Sequence, residues 1–163
     1  MTTITSHSDV DALTLTFVAT FDADVPRVWQ IWADPRQLER WWGPPDWPAT
    51  FVRHDFVPGG ASRYYMTGPE GEKEHCWWTT IVIDAPHRLE FDNGFAGEDG
   101  EPDDNNEVEP MHMTMTLEDA EGMTRMTTVT AFASTGQLEL VLGMGMEEGM
   151  REAMEQIEGL LAE

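Results

Sequence analysis

Cysteine is almost absent from this sequence, and positive charge is scarce. The 163-residue chain has one cysteine, Cys76, which excludes an intramolecular disulfide and a cysteine-based zinc cluster within one chain. Nine basic residues, with Lys73 the only lysine, stand against 31 acidic ones and give a formal charge of −22 at pH 7. Because this charge opposes binding to phosphate backbones and anionic membranes, we expect neither nucleic acid nor a membrane as a partner.

Long apolar runs are missing too. No stretch approaches the ~18 apolar residues of a membrane span, and residues 1–11 lack the basic start and apolar centre of a signal peptide. We therefore expect a soluble cytoplasmic protein in which residues 1–11 are frayed. The acidic residues have two interpretations, a solvated surface such as salt adaptation gives or a docking face for a basic partner.

The apolar residues that are present predict one α+β domain over residues 1–163. Residues 13–21 alternate as a strand does, and Pro26 and Pro35 suit the first turns of two short helices. Further strands are predicted at 49–57, 60–67, 74–84, 87–94, 111–118 and 123–133. Residues 96–110 are predicted to form an acidic loop, and apolar residues three and four apart from Leu138 to Leu161 predict one long amphipathic helix.

Five short motifs occur in a fixed order along this pattern. They are Phe21-Asp22-Ala23 with Val28-Trp29, Trp41-Trp42-Gly43-Pro44, Pro58-Gly59-Gly60, Pro86-His87-Arg88-Leu89 with Phe91, and Gly145-Met146-Glu147-Glu148-Gly149-Met150 leading to Leu160-Leu161. In this order the chain resembles the family named after the activator of the heat-shock protein 90 ATPase, within the START-like or SRPBCC superfamily. The resemblance implies a helix-grip fold, in which a curved antiparallel sheet (β-α-α-β5-6-α) wraps round a long C-terminal helix. It also implies a cavity of the kind that the superfamily uses for lipids, polyketides, hormones and other apolar molecules.

Strand alternation predicts which side chains face such a cavity. If Phe91 points inward, the same parity turns His75 and Trp77 inward on the preceding strand and turns Cys76 and Trp78 outward, unless a bulge intervenes. On the strand at 60–67 we favour Tyr64 and Met66 over Arg63 and Tyr65 because they are more apolar. Two methionine series complete the predicted ligand-binding wall, on one strand (Met113 and Met115) and on the last helix (Met146 and Met150), although such series are also typical of ordinary core.

Signatures of catalysis are few. There is no His-Glu-x-x-His and no Gly-x-Ser-x-Gly, and the spacing of Gly143, Gly145 and Gly149 fits no phosphate loop. We therefore expect no metal, no cofactor and no established catalytic residue. The leading hypothesis is binding of a small apolar or aromatic molecule between sheet and helix.

Two alternatives stay open. One is a cyclase-like or hydrolase-like enzyme in which inward-facing His75 and Tyr64 act on an apolar substrate. The other is a stress-related, co-chaperone-like interaction module or a homodimer that uses exposed aromatic residues from Trp41 to Trp47.

Overall fold

The computed structural model describes residues 3–102 and 109–163 and contains one curved antiparallel sheet, as predicted, with eight strands where the sequence indicated six or seven. The strand order is β1-β2-β8-β7-β6-β5-β4-β3, a meander in which β8 returns to pair with β2. The strands are β1 (Thr3–Asp9), β2 (Thr14–Phe21), β3 (Ala49–His54), β4 (Ala61–Thr67), β5 (Lys73–Asp84), β6 (Arg88–Phe95), β7 (Met111–Ala120) and β8 (Met123–Ala131).

The start of the chain is an edge strand, so the prediction of frayed residues 1–11 is wrong for Thr3–Asp9. This segment pairs with the whole of β2, from Thr3 opposite Thr20 to Asp9 opposite Thr14. It shows no apolar alternation because one face of this edge strand is exposed and the other is only half-buried, so neither side has to be apolar.

Two short helices, α1 (Val25–Ala33) and α2 (Pro35–Leu38), connect β2 to β3. The Asp24 carboxylate caps α1 by accepting a hydrogen bond of 3.0 Å from the Arg27 amide. Asp34 caps α2 in the same way, and its bonds to Gln37 and Arg36 lower the pKa of this carboxyl. Each helix thus begins where a capping aspartate and a proline in the first turn predict.

An aromatic cluster fills the space between these helices and the sheet. Trp32 and Trp41 are fully buried with ring centroids 4.8 Å apart, and Trp42 meets Trp78 edge-on at the same distance. Phe91 lies flat against Trp78, with ring centroids 4.0 Å apart. These aromatic side chains form a tightly packed part of the core, against which the other inward-facing side chains pack.

The C-terminal helix is interrupted, where the sequence predicted one long helix. It consists of α3 (Thr135–Gly143), α4 (Met146–Glu155) and α5 (Ile157–Leu161). The break between α3 and α4 lies at Gly145, whose φ of +86° is a left-handed conformation that a helix cannot contain and that glycine tolerates best. The regular helix therefore ends with α3 and starts again with α4.

A β-bulge in β5 reverses the parity of half of that strand. Ile83 lies opposite Leu89, but Thr80 lies opposite Phe91, so β5 has one more residue than β6 between these two pairs. Cys76 and Trp78, on the far side of the bulge, are therefore buried at 4% and 1% exposure. The prediction that they face outward, with His75 and Trp77 inward, is wrong.

The predicted acidic loop, 96–110, is described only in part, since residues 103–108 lie outside the described segments. Within it an isolated β-bridge pairs Ala96 with Pro102, and the Ala96 amide donates a 2.8 Å hydrogen bond to the His75 carbonyl of β5. Glu101 forms an ion pair with Arg63 on β4, with 3.0 Å between the guanidinium nitrogen and the carboxylate oxygen. Within the described part of the chain, no helix has the length and apolar character needed to span a bilayer.

Candidate ligand-binding site

A cavity of about 370 Å³ lies between the inner face of β4–β7 and the junction of α3 with α4. It is open to solvent on one side, and its volume lies within the range of ~300–1,000 Å³ typical of small-molecule sites. The lining residues are Trp42, Pro44, Trp47, Tyr64, Met66, Glu74, Cys76, Asn93, Gly94, Phe95, Met111, Met113, Val141, Met144, Gly145, Met146, Gly149 and Met150.

Thioether side chains make up a large part of the wall, at six positions. The two-residue period of β7 turns Met111 and Met113 to the same side, and the four-residue period of α4 does the same for Met146 and Met150. Unbranched, polarisable methionine side chains adapt to irregular shapes. Together with Trp42, Trp47 and Phe95 they give the cavity a mainly apolar surface, with adaptable thioethers on both the sheet side and the helix side.

Tyr64 and Cys76 are the polar groups at the inner end. They lie directly opposite each other in the register of β4 and β5, so their side chains stand next to each other on the inner face. Tyr64 is held flat against Phe51 at a centroid distance of 4.6 Å. Burial raises the pKa of the Cys76 thiol to about 12 and raises the pKa of the Tyr64 phenol well above its usual range. Both groups therefore stay protonated at neutral pH.

Asn93 and Glu74 complete the polar part, and the sequence analysis identified neither. Asn93 is 8% exposed, and its Nδ2 donates a 3.3 Å hydrogen bond to the Met111 carbonyl, which fixes the amide at the wall. Glu74 shares the parity of Cys76 on β5 but is exposed, so its carboxylate stands at the open rim.

Five of the nine predicted ligand-binding residues line the cavity. They are Tyr64, Met66, Met113, Met146 and Met150. Phe91 and Met115 are fully buried beneath the wall and belong to the core. Whether any of these side chains contacts a ligand stays a prediction.

His75 and Trp77 lie on the opposite face of the sheet, which corrects their predicted place in the cavity. The His75 ring packs edge-on to Tyr65, with centroids 5.7 Å apart. Trp77 covers Gly94 from outside and donates a 3.1 Å hydrogen bond from its indole nitrogen to the Phe95 carbonyl. The proposed acid–base pair of His75 and Tyr64 is therefore not formed.

Two further histidines, His54 and His112, have protein partners. His54 is bonded through Nδ1 to the Ser62 hydroxyl at 2.8 Å and through Nε2 to the Trp32 carbonyl at 3.0 Å, and burial lowers its pKa. His112 lies between two carboxylates on the outer face, Asp92 and Glu90, at 2.7 and 3.0 Å. In the described segments no three His, Cys, Asp or Glu side chains are grouped as a metal site.

One family model spans nearly all of these elements. Its description is "Activator of Hsp90 ATPase homolog 1-like protein", and it matches residues 22–162. The chain belongs to this family. The matched range contains every residue that lines the cavity.

Solved structures of proteins from other organisms have the same fold. A protein from Arthrobacter aurescens is 56% identical, with 97% of this chain and 91% of that one covered and a TM-score of 0.92. A protein from Mycobacterium smegmatis is 47% identical over 98% and 97% of the two chains, with a TM-score of 0.89. An AHSA1 protein from Silicibacter pomeroyi is 20% identical over 91% and 97%, and its TM-score of 0.73 shows likeness of fold alone. No curated protein matches the sequence.

Proposed function

We propose that this family member binds a small apolar or aromatic molecule in the cavity between the sheet and the α3–α4 junction. The observation that carries the proposal is that about 370 Å³ of space with mainly apolar walls remains beside a core whose tryptophans are fully packed. A wall of this kind favours apolar contents because transferring apolar surface out of water is favourable by ~25 cal/mol per Å².

Neither alternative function has a comparable observation behind it. The enzyme hypothesis needed His75 and Tyr64 in one cavity, and these residues lie on opposite faces of the sheet. The interaction hypothesis needed exposed aromatic residues, but Trp41 and Trp42 are buried and Trp47 is half-buried against the cavity. A homodimer stays a prediction.

Native mass spectrometry of freshly purified protein tests the proposal first. A bound mass that is lost on denaturation identifies the contents directly. If the protein purifies empty, titration with the neutral dye N-phenyl-1-naphthylamine follows, and we expect its fluorescence to rise on binding.

A matched pair of glycine variants locates the binding. Gly149 lines the cavity on α4, and an added Cβ there meets no atom within 4 Å; the same open space surrounds Gly159 on α5, away from the cavity. Gly149→Phe should fill the space and weaken dye binding by about tenfold or more, whereas Gly159→Phe should bind the dye like wild type. Equal binding by both variants, or no binding by the wild type, would contradict the proposal.

A further inference from the structure

Tyr64 carries the one side-chain hydroxyl among the described lining residues. Its hydroxyl lies next to the indole N–H groups of Trp42 and Trp78 and next to the Cys76 thiol. An indole N–H only donates and a thiol sulfur is a weak acceptor, so none of these neighbours is a strong acceptor for the phenol proton. This end of the cavity therefore favours an acceptor supplied from outside.

Tyr64 is placed to present its hydroxyl to such an acceptor. Its ring lies between the stacked Phe51 and the edges of Trp42 and Trp78, at centroid distances of 6.5 and 6.2 Å. The ring therefore has little freedom to turn, and a hydrogen bond from its hydroxyl costs little further ordering. Since the phenol stays protonated at neutral pH, it is able to donate.

The charge of the wall selects against anions. Among the described lining residues, Glu74 is the only charged one, and none is lysine, arginine or histidine. An anionic head group inside would lose its hydration without gaining a counter-ion, and it would pass a carboxylate at the rim. The formal charge of −22 over the whole chain acts in the same direction.

We infer that the ligand is uncharged and carries a carbonyl, ether or hydroxyl oxygen that accepts a hydrogen bond from Tyr64, while its apolar body contacts the methionines. This inference rests on the proposed function and adds the chemical class of the ligand. It excludes fatty acids and other anionic amphiphiles as the natural occupants of the cavity.

Four probes of similar shape test the class of ligand by displacement of N-phenyl-1-naphthylamine at neutral pH. They are 2-acetylnaphthalene, 2-ethylnaphthalene, 2-naphthoate and the 1-(2-naphthyl)ethylammonium ion. We expect the ketone to bind most tightly, the hydrocarbon next and the anion weakest. An anion or a cation that binds more tightly than the ketone would refute the inference.

Two adjacent tyrosines supply the variant and its control. Tyr64→Phe should weaken binding of the ketone by about two- to tenfold, the loss expected for one hydrogen bond, and leave binding of the hydrocarbon unchanged. Tyr65→Phe, on the outer face of the same strand, should change neither. An unchanged ketone affinity in Tyr64→Phe refutes the inference alone, whereas failure of the dye and of all four probes to bind refutes the proposed function.

Discussion

Cys76 should be very slow to alkylate in the folded protein. At about pH 8 a thiol with a pKa of about 12 is ionised in roughly one molecule in 10⁴, against about one in four for a thiol with the ordinary pKa near 8.5. Since the thiolate is the nucleophile, reaction with iodoacetamide should be on the order of 2,000-fold slower than for a free cysteine. The 4% exposure of Cys76 slows it further.

Intact-mass spectra over time, with protein in concentrated guanidinium chloride as control, measure this ratio. Raising the pH by about one unit from pH 8 should speed the folded reaction roughly tenfold, since the thiolate fraction still rises tenfold per unit, but the unfolded one only about threefold. A folded rate within tenfold of the unfolded rate would refute the placement of Cys76 on the inner face. The sequence-based parity, which turned Cys76 outward, predicts that result.

Three further predictions concern stability, measured as the free energy of unfolding in urea. Burial lowers the folded-state pKa of His54, so its neutral form stabilises the protein above about pH 6.5, and this contribution is lost as the pH falls. The free energy of unfolding of His54→Gln should therefore fall less steeply than that of the wild type as the pH is lowered. Burial alone would lower the pKa of His112, but hydrogen bonds to its two carboxylate partners raise it. Its contribution to the free energy of unfolding is therefore present below about pH 6.5 and is lost as the pH rises. His112→Gln should destabilise the protein more at about pH 5.5 than at about pH 8.5. Gly43→Ala should destabilise by about 1–3 kcal/mol because its Cβ would lie 2.1 Å from the Trp47 carbonyl oxygen, whereas Gly136→Ala, whose Cβ meets nothing closer than 3.8 Å, should be near neutral.

The order of the elements could be predicted from the sequence because local signals agree with the tertiary structure. Capping aspartates followed by prolines begin both short helices, and the strands from β3 onward lie within a few residues of their predicted bounds. β1 was missed since its polar alternation buries no face. The break at Gly145 had a signal, three nearby glycines, but the apolar period continues across it on both sides.

The cavity wall was harder to predict, because its parity depends on a bulge without a sequence signal. Ile81, Val82 and Ile83 are all apolar, so neither register is favoured by hydrophobicity and the extra residue cannot be located. On β4, β7 and α4, where no bulge lies within the wall, the predicted residues Tyr64, Met113 and Met150 do line the cavity. Asn93 was missed because an asparagine inside an apolar strand gives no indication of which partner will satisfy it.

The bulge in β5 also determines which side chains of that strand face the cavity. Without its extra residue, the alternate set of side chains would face the ligand, and the imidazole of His75 would stand where the Cys76 thiol now stands. An imidazole, which has a strong hydrogen-bond acceptor nitrogen in its neutral form, would replace a thiol that is only a weak donor and a weak acceptor, and the inner end of the cavity would offer a ligand different hydrogen-bond partners. The chemistry offered to a ligand is thus set by the length of one strand, so a fold of this kind exchanges one binding surface for another by gaining or losing a single residue, with no substitution in the wall itself.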